Sequence, residues 1–582
     1  MRICRREPQT HSLHSAGLNP LLAKVFSARG VTDSADLSLN LKQLLPPDAM
    51  LGLPAAAELL AAAMEREEKI LFVGDFDADG ATSIAVGMTL LRQMGAAHID
   101  FLVPNRFDYG YGLSPEIVEL AHQRDPAVIV TVDNGISSLR GVERARELGI
   151  RTLVTDHHLP GDVLPDADVI VNPNQPGCRF ASKQLAGVGV IFYVMSALRR
   201  VLSDRGWFDA RAVTAPSLAG VLDLVALGTI ADVVPLDRNN RILVHQGLAR
   251  IRGGETRPGI RALLETCGRS LQRLVAADLA FAVAPRLNAA GRLDDMTVGI
   301  ECLLAEDMPQ ARIAAERLDG LNQERRDIEQ TMQQQAESIL AAVEVENAPE
   351  TKHSVCLYRA DWHQGVVGIL ASRVKDRLHR PVIAFADADD ATLKGSARSI
   401  AGLHIRDALE RVAALHPGLI EKFGGHAMAA GLSLRREHYA AFCDALEQVC
   451  SEWLSEEDLQ AVLLTDGELP ADALELGLAR ELRYASPWGQ HFPEPLFDGR
   501  FQVVHQRLVA ERHLKLVLAN PDRPSELLDA IAFGIDTRCW PDERIEWVRI
   551  AYRLDCNFFR GEEKLQLMVE HIQALEAADS TA

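Results

Sequence analysis

The sequence has no C-x-x-C pair; its nine cysteines are scattered over 582 residues. That excludes a zinc knuckle, argues against a disulfide frame and fits reduced thiols in a cytoplasm. No apolar run is able to span a bilayer, since even "LAGVLDLVALGTIADVV" carries aspartates. The opening "MRICRREPQTHSLHS" has charge without a following apolar segment, so no secretion signal is expected. Basic residues are in deficit as well. Sixty-one Lys and Arg against 81 Asp and Glu leave a net charge of −20. This disfavours broad coating of nucleic acid, because phosphate contact needs Lys and Arg. A local groove is still permitted, and Gln364 to Lys422 carries nine Lys/Arg against seven Asp/Glu. There is no internal repeat and no long low-complexity segment. The remainder is ordinary soluble composition, 47% apolar and 24% charged, and the length calls for about three or four domains.

Short Val/Ile-rich runs alternate with helical patterns from about Ala55 to Ile300. "KILFVG" precedes "ATSIAVGMTLLRQMG", "AVIVTVDNG" precedes "SSLRGVERARELG", and "RTLVTDHH" follows. Strands separated by helical stretches predict βαβ units and a parallel sheet, with ligands beyond the carboxyl ends of its strands. Each of these runs ends in an acid or histidine: Asp75, Asp133, and Asp156 with His157 and His158. From Met308 to Val343 the apolar period is helical, a strut of one long helix or two abutting ones. A smaller α/β region with strands "SVCLY" and "PVIAFA" follows, then an acidic connector, then several β-alternating runs that predict a small barrel or sandwich. The expected boundaries are an N-terminal segment to residue 50, a catalytic domain over 51–305, a connecting helix over 306–348, a second α/β domain over 349–455, and a barrel with its tail over 456–582.

"GDFDADG" places Asp75, Asp77 and Asp79 two residues apart. In an extended chain they face one side with neighbours about 6.5 Å apart, where like charges repel by about 2.5 kcal/mol at an effective dielectric near 20. An apolar lead-in makes the site half-buried, so a cation is expected. A calcium loop of the EF-hand kind would need a glutamate at position twelve, and that position is Val86. Asp75, Asp77, Asp79, Asp133, His157 and Asp223 are hard oxygen and imidazole ligands without a thiolate, a set for Mn²⁺ or Mg²⁺, and histidine tips the choice toward Mn²⁺. Carboxylates on adjacent strand ends can hold two ions, the clamp used in phosphoryl displacement. The adjacent histidines of "TDHH" point to different sides. One can ligate metal while the other faces substrate or is held by a carboxylate.

"GDFDADG", "VDNG", "TDHH" and "DLVALGTIADVVPL" resemble the four ordered motifs of the DHH phosphoesterase superfamily, and "KFGGHAMAAG" resembles the GGH motif of its companion DHHA1 domain. "DWHQGVVGILASRV", "PRLNAAGRLDD" and "KGSARS" are similar more particularly to the RecJ family of bacterial single-strand-specific 5′→3′ exonucleases, over essentially the chain from Gly30 to the barrel. One departure is "SPWGQHFPEPLF", where that family often has a Phe-Gly-x-Gly-Asn version. The resemblance implies an α/β fold: a DHH parallel-sheet domain and a smaller DHHA1 domain joined by a long helix, plus a C-terminal OB-like barrel. It implies that Asp75, Asp77, Asp79, Asp133, His157 and Asp223 hold two Mn²⁺ or Mg²⁺ ions, with Asp133 bridging and His158 near the scissile phosphate. Asp232, in the same motif as Asp223, is a weaker ligand candidate, with a helix cap or salt bridge as the competing role.

For the DNA, the resemblance assigns a 5′-phosphate seat to Ser396 and Arg398, where small residues would also let backbone amides approach an anion. It places Arg106 and Arg286 on phosphates and His426 beside the nucleotide. "GGH" taken alone reads as a tight turn before a small-residue helix. On the barrel, Arg507, Arg512, His513 and Lys515 with Phe533 and Phe559 offer charge and stacking for single strands. The expected function is therefore 5′→3′ removal of mononucleotides from single-stranded DNA in recombination and repair, in the cytoplasm. A helicase and a single-strand DNA-binding protein are partners of the kind the family implies. The alternatives are a phosphodiesterase on short oligonucleotides and a catalytically silent DNA-binding scaffold.

Overall fold

The computed structural model describes residues 2–8, 13, 17–105, 112–346, 352–537 and 539–575, and side chains of the helix end 340–346 are outside the description. The chain forms two compact units. One comprises Ile3–Leu318 with Leu464–Ala582; the other is essentially Asp319–Leu463.

The larger unit is built on a five-stranded sheet. Its strands are β1 (Ile70–Gly74), β2 (Ile99–Leu102), β3 (Val128–Val132), β4 (Arg151–Thr155) and β5 (Val169–Val171). Every pairing is parallel and the order is β2-β1-β3-β4-β5. All residues of β1 and β3 are buried, as central strands covered by helices on both faces must be. The order reverses between β1 and β3, the switch point where such sheets open a crevice at their carboxyl ends. Helix α1 (Ala78–Gln93) leaves β1 with Asp77 as its N-cap, whose carboxylate accepts from Asp79 N at 2.9 Å and Gly80 N at 3.0 Å. It packs against α2 (Gly187–Asp204) and α3 (Leu222–Ala231), which is why it is buried almost all round.

The same unit carries a closed barrel of β11 (Phe497–Val509), β12 (His513–Asn520), β13 (Arg523–Ala532), β14 (Trp547–Phe559) and β15 (Glu562–Leu575). The ring order is β11-β12-β13-β15-β14, with β13 and β15 parallel and the other pairs antiparallel. Closure leaves no free edge. The departing segment "SPWGQHFPEPLF" anchors the barrel to the catalytic domain. Trp488 and Phe492 stack at 5.3 Å, Phe26 stacks on Trp488 at 5.8 Å, and the Arg241 guanidinium lies 4.1 Å from the Phe492 ring centre.

Asp498 on β11 is a second anchor. Its buried carboxylate accepts from Arg5 (2.9 Å), Arg549 (3.0 Å) and the Thr465 hydroxyl (2.7 Å). Burial would raise its pKa, but the bonds from Arg5, Thr465 and Arg549 outweigh it and hold the carboxyl at about 2. A depressed carboxylate contributes stability that is present above the unfolded value and lost as pH falls toward the folded one. Asp498→Asn should therefore lower the unfolding free energy at neutral pH by on the order of 1 to 2 kcal/mol, discounted because solvent screens Arg5. The difference from wild type should vanish between pH 4 and about 2. A denaturant titration at pH 7 and pH 3 measures both, and an unchanged midpoint at pH 7 would refute the anchor.

The smaller unit has a mixed sheet of β6 (Val355–Tyr358), β7 (Val382–Asp387), β8 (Thr392–Arg398), β9 (Lys422–Gly425) and β10 (Ala429–Arg435), in the order β9-β10-β8-β7-β6. Only the β6–β7 pair is parallel. Alternate residues of β7 face opposite cores. Ile383 and Phe385 join Phe442 and Leu446, while Val382, Ala384 and Ala386 join Trp362 and Leu370. The strut is one helix, α5 (Met308–Glu346). Its Met332 and Ala336 complete the second core, and Gln335 accepts the Trp362 indole N–H at 2.8 Å.

Candidate metal centre and nucleic-acid site

The three aspartates of "GDFDADG" do not share one face of a strand. β1 ends at Gly74 and α1 begins at Ala78, so Asp75 stands on the loop, Asp77 caps the helix and Asp79 lies in its first turn. The chain turns because Asp77 satisfies the orphan amides of α1. Asp79 is 1% exposed. Its two oxygens accept the backbone N–H groups of Gly187 (2.6 Å) and Val188 (2.9 Å) at the start of α2. The loop is also clamped from α4 (Ala284–Leu293), in "PRLNAAGR". Asn288 Oδ1 accepts Ala78 N at 2.8 Å, and Gly291 lies so close that any Cβ there would overlap the Phe76 carbonyl oxygen.

Asp133 follows β3 with φ +61°, a left-handed conformation that a short polar side chain tolerates. Its neighbours hold it there. Asp133 N donates to Thr155 O (3.1 Å), and the Thr131 hydroxyl donates to Asn134 O (2.8 Å). The Asn134 amide donates to both Val132 O (2.9 Å) and Val73 O (3.2 Å), joining the ends of β3 and β1.

Beyond β4, buried Asp156 organises the histidine pair. One oxygen accepts His157 N (2.7 Å), His158 N (3.1 Å) and His158 Nδ1 (2.8 Å), while the other accepts Ile136 N (2.9 Å). His157 Nε2 then lies 3.0 Å from Asp133, 3.4 Å from Asp232 and 4.0 Å from Asp79.

Asp223 is not in this cluster, which corrects its expected role as a ligand. It sits in the first turn of α3, where its carboxylate accepts from Thr256 Oγ1 (2.9 Å), Arg257 N (3.1 Å) and the Arg257 guanidinium (3.1 Å). Asp232, the C-cap of the same helix, faces the histidine instead. Nine residues are two and a half helical turns, about 13 Å of rise, so one helix cannot present both carboxylates to one point. Asp232 Oδ2 is buried without a hydrogen-bond donor among the described residues.

The electrostatics are those of a site short of positive charge. Burial, then Asp77, pushes Asp79 up to about 7. Burial with Asp79, Asp77 and other carboxylates holds Asp133 and Asp232 well above the usual carboxylate range. Burial alone would raise Asp156 and lower His158, but their mutual hydrogen bond reverses both, giving a depressed carboxylate and a more basic imidazole. Ligand atoms fall within 4.8 Å of one another in three sets: Asp75, Asp77 and Asp133; Asp79, His157 and Asp232; and Asp133, Asp156, His157 and His158. Asp133 belongs to two sets, and all donors are oxygen or imidazole nitrogen, which suits Mn²⁺ or Mg²⁺.

The remaining DNA candidates are dispersed. Arg286 on α4 is largely buried and donates to Ala282 O at 2.6 Å. Arg106 lies outside the described residues.

In the smaller unit, Ser396 and Arg398 share one face of β8 and touch, Nη1 to Oγ at 3.1 Å. β8 is paired on both sides, to β7 and β10, so its amides are committed to the sheet and the expected amide seat for an anion does not form there. What the pair does border is the first turn of α6 (Val367–Leu378): a Cβ on Gly368 would come within 2.8 Å of the Arg398 guanidinium and 2.9 Å of Ser396 Oγ. Burial lowers the pKa of Arg398. "GGHAMAAG" is a β-hairpin between β9 and β10, not a turn into a helix, with exposed His426 donating its backbone N–H to Ala429 O at 2.8 Å. On the barrel, His513 packs edge-on to exposed Phe533, Phe559 is exposed, and Lys515 pairs with Asp529 at 3.6 Å.

Three family models match the chain: the DHH family N-terminal domain over residues 69–229, the DHHA1 domain over 351–452 and the RecJ OB domain over 465–571. The single-stranded-DNA-specific exonuclease RecJ of Salmonella typhimurium is 54% identical over 572 residues, 98% of this chain and 99% of that protein. The chain belongs to the RecJ family. The RecJ of Escherichia coli is likewise 54% identical, across 98% of this chain and 99% of its own. The crystal structure of Thermus thermophilus RecJ in complex with Mn²⁺ matches with a TM-score of 0.79 at 29% identity, covering 99% of this chain and 80% of that one. A second RecJ structure from the same organism, with Mg²⁺, gives 0.74 at 27% identity, covering 99% and 78%. Sequence reasoning underweighted Asp232 and passed over Asn288 and Asn134. The i, i+3 spacing of Asn288 and Gly291 on one helix face was the available signal for the clamp.

Proposed function

We propose that the chain is a metal-dependent exonuclease that removes 5′-mononucleotides from single-stranded DNA in the 5′→3′ direction. The observation that carries this reading is the convergence of Asp75, Asp77, Asp79, Asp133, His157 and Asp232 on one crevice at the sheet's switch point. These residues would hold two Mn²⁺ or Mg²⁺ ions, which supply Lewis-acid charge and an activated water when bound. Asp133, shared between two of the ligand sets, would hold both ions. His158 is oriented and kept basic by Asp156, so it offers a charged N–H to a non-bridging phosphate oxygen. Ser396 and Arg398 beside the start of α6 seat the terminal 5′-phosphate, a helix N-terminus and a guanidinium acting on one anion. Arg286 and His426 contact the strand, and the barrel binds its downstream part through Arg507, Arg512, His513, Phe533 and Phe559. A helicase and a single-strand DNA-binding protein supply and present that strand in the cytoplasm. Among the described residues no helix is long and apolar enough to cross a membrane.

The test is nucleotide release from 5′-labelled oligomers with and without Mn²⁺. Metal-independent release, or release from 5′-blocked strands at the same rate, would overturn the reading. Arg398→Ala should raise KM for 5′-phosphorylated strands on the order of 10-fold to 100-fold, as expected for a charged hydrogen bond, and should leave 5′-hydroxyl strands nearly unaffected. Equal loss on both substrates would remove Arg398 from the 5′-phosphate seat.

A further inference from the structure

Two cysteines of the smaller unit face one another across elements that the proposed function does not use. Cys356 lies on β6, the edge strand of the mixed sheet, and Cys443 on the flanking helix α7 (Tyr439–Trp453). Residues 354, 356 and 358 point to one side of the strand, and residues 439, 443 and 447 form one stripe of the helix. Four residues of strand and eight of helix both span about 12 to 13 Å, so the two rows keep step. They are fixed at both ends. Glu447 accepts the Ser354 N–H at 2.9 Å, the Ser354 hydroxyl at 2.6 Å and the His353 N–H at 2.8 Å. At the other end the rings of Tyr358 and Tyr439 pack with their centres 5.5 Å apart. Between these anchors each row places one side chain, Cys356 on the strand and Cys443 on the helix.

The two sulfurs are not equivalent. Cys443 accepts hydrogen bonds from the Cys356 thiol and from the Tyr439 hydroxyl, and these hold its pKa below the ordinary thiol value against the effect of burial. The bond to Cys443, with burial, pushes Cys356 well above that value. One sulfur is thus the better thiolate, and the other is a protonated thiol in contact with it. Both residues are partly open to solvent. Cys450, two turns further along α7, lies in the core instead, and burial pushes its thiol up to about 12. A more acidic thiol that solvent can reach, with a second thiol against it, is the arrangement that hydroperoxides oxidise selectively.

We propose that Cys443 and Cys356 are a site of reversible oxidation by hydroperoxides, closing as a disulfide between β6 and α7. The Cys443 thiolate attacks one peroxide oxygen and the O–O bond breaks, leaving a sulfenic acid on Cys443 and a hydroxide that solvent protonates. The Cys356 sulfur then attacks the Cys443 sulfur. The S–O bond breaks, and the hydroxyl leaves as water with the Cys356 proton. Two thiols and one peroxide thus become one disulfide and two waters. The test is hydrogen peroxide applied to the reduced full chain in EDTA, followed by alkylation, proteolysis and mass spectrometry. Two of the nine thiols should disappear together into a cross-linked Cys356–Cys443 peptide, two hydrogens lighter than its reduced halves, and dithiothreitol should restore both. In Cys356→Ser the reaction should stop at the sulfenic acid, which dimedone traps on Cys443. In Cys443→Ser, Cys356 should stay reduced at the same dose. Exposed Cys539 is the internal reference and should be lost more slowly than the pair. Loss of Cys539 as fast as the pair, or a cross-link from either cysteine to Cys450, overturns the proposal. The wild-type digest decides the matter even where a variant folds poorly, and its readout does not depend on whether the chain cleaves DNA.

Discussion

Asp232→Asn should lower maximal turnover on the order of 10³-fold or more, in the range seen when groups that stabilise reaction charge are removed, while leaving the metal-free protein as stable as wild type or more so. The second half follows from its environment. Asp232 is half-buried, with Oδ2 out of reach of solvent, and burial with Asp79, Asp77, Asp75 and Asp156 holds its pKa well above the ordinary value. The ionised carboxylate is therefore a liability to the metal-free fold, and a neutral amide of the same shape removes it. Asp223→Asn should do the reverse. It breaks the buried pair with Arg257, whose side chain is 12% exposed against 2% for the aspartate, and stranding a buried partner costs about 3 kcal/mol or more. Turnover per folded molecule should stay within a few-fold of wild type. The two variants thus cross: one loses activity with its melting temperature kept, the other loses melting temperature with activity kept. Measuring kcat and thermal unfolding on both settles the assignment, and a loss of turnover confined to folded Asp223→Asn would return that residue to the metal centre.

The same pair shows what could be read before the fold was known. The parallel sheet, the strand-end acids and the barrel were legible because they rest on local signals: apolar runs of five residues, turn residues after them, and alternation. "KILFVG" and "AVIVTV" became β1 and β3, adjacent in the sheet at the point where its order reverses. Helix α3 was different. Its "DLVALGTIAD" contains two aspartates in an otherwise apolar stretch, and both are plausible ligands until a helix axis is drawn. Which one faces the crevice depends on Arg257, a residue 34 positions away, so no window of sequence contains the answer. In "KGSARS" only the role expected of the backbone amides is lost, and for a related reason: small residues imply exposed amides only if the strand is an edge, and β8 is central. The hairpin at "GGHAMAAG" was hidden by alanines, whose helical propensity is overridden once the strand pairs with β8. The i, i+3 pair Asn288 and Gly291 marked one helix face but not what that face meets, because the amide of Ala78 is 210 residues distant.

Removing divalent cations should make the protein's stability fall as pH rises from 6 to 8, and adding Mn²⁺ should abolish that fall. The sign follows from which state binds more protons. Asp79 titrates at about 7 when folded against an ordinary value of 3.8, and Asp133 and Asp232 are displaced in the same direction. Between those limits the native state holds protons that the unfolded chain has released, so the unfolding free energy declines with increasing pH. The penalty is fully present above the folded value and is relieved as pH drops through it toward the unfolded one. For a coupled cluster sharing protons, the change over this window is on the order of 2 to 4 kcal/mol. Cations occupying the crevice replace the protons as the positive charge, and a ligand at about a hundred times its dissociation constant adds about 2.7 kcal/mol to the native state. Their effect should be largest at pH 8, where the carboxylates are ionised and available. The measurement is the urea midpoint at pH 6, 7 and 8 in EDTA and in Mn²⁺. A metal-free protein whose midpoint rises with pH, or a Mn²⁺ increment larger at pH 6 than at pH 8, would mean that the aspartates are not paired against one another in the way their distances require.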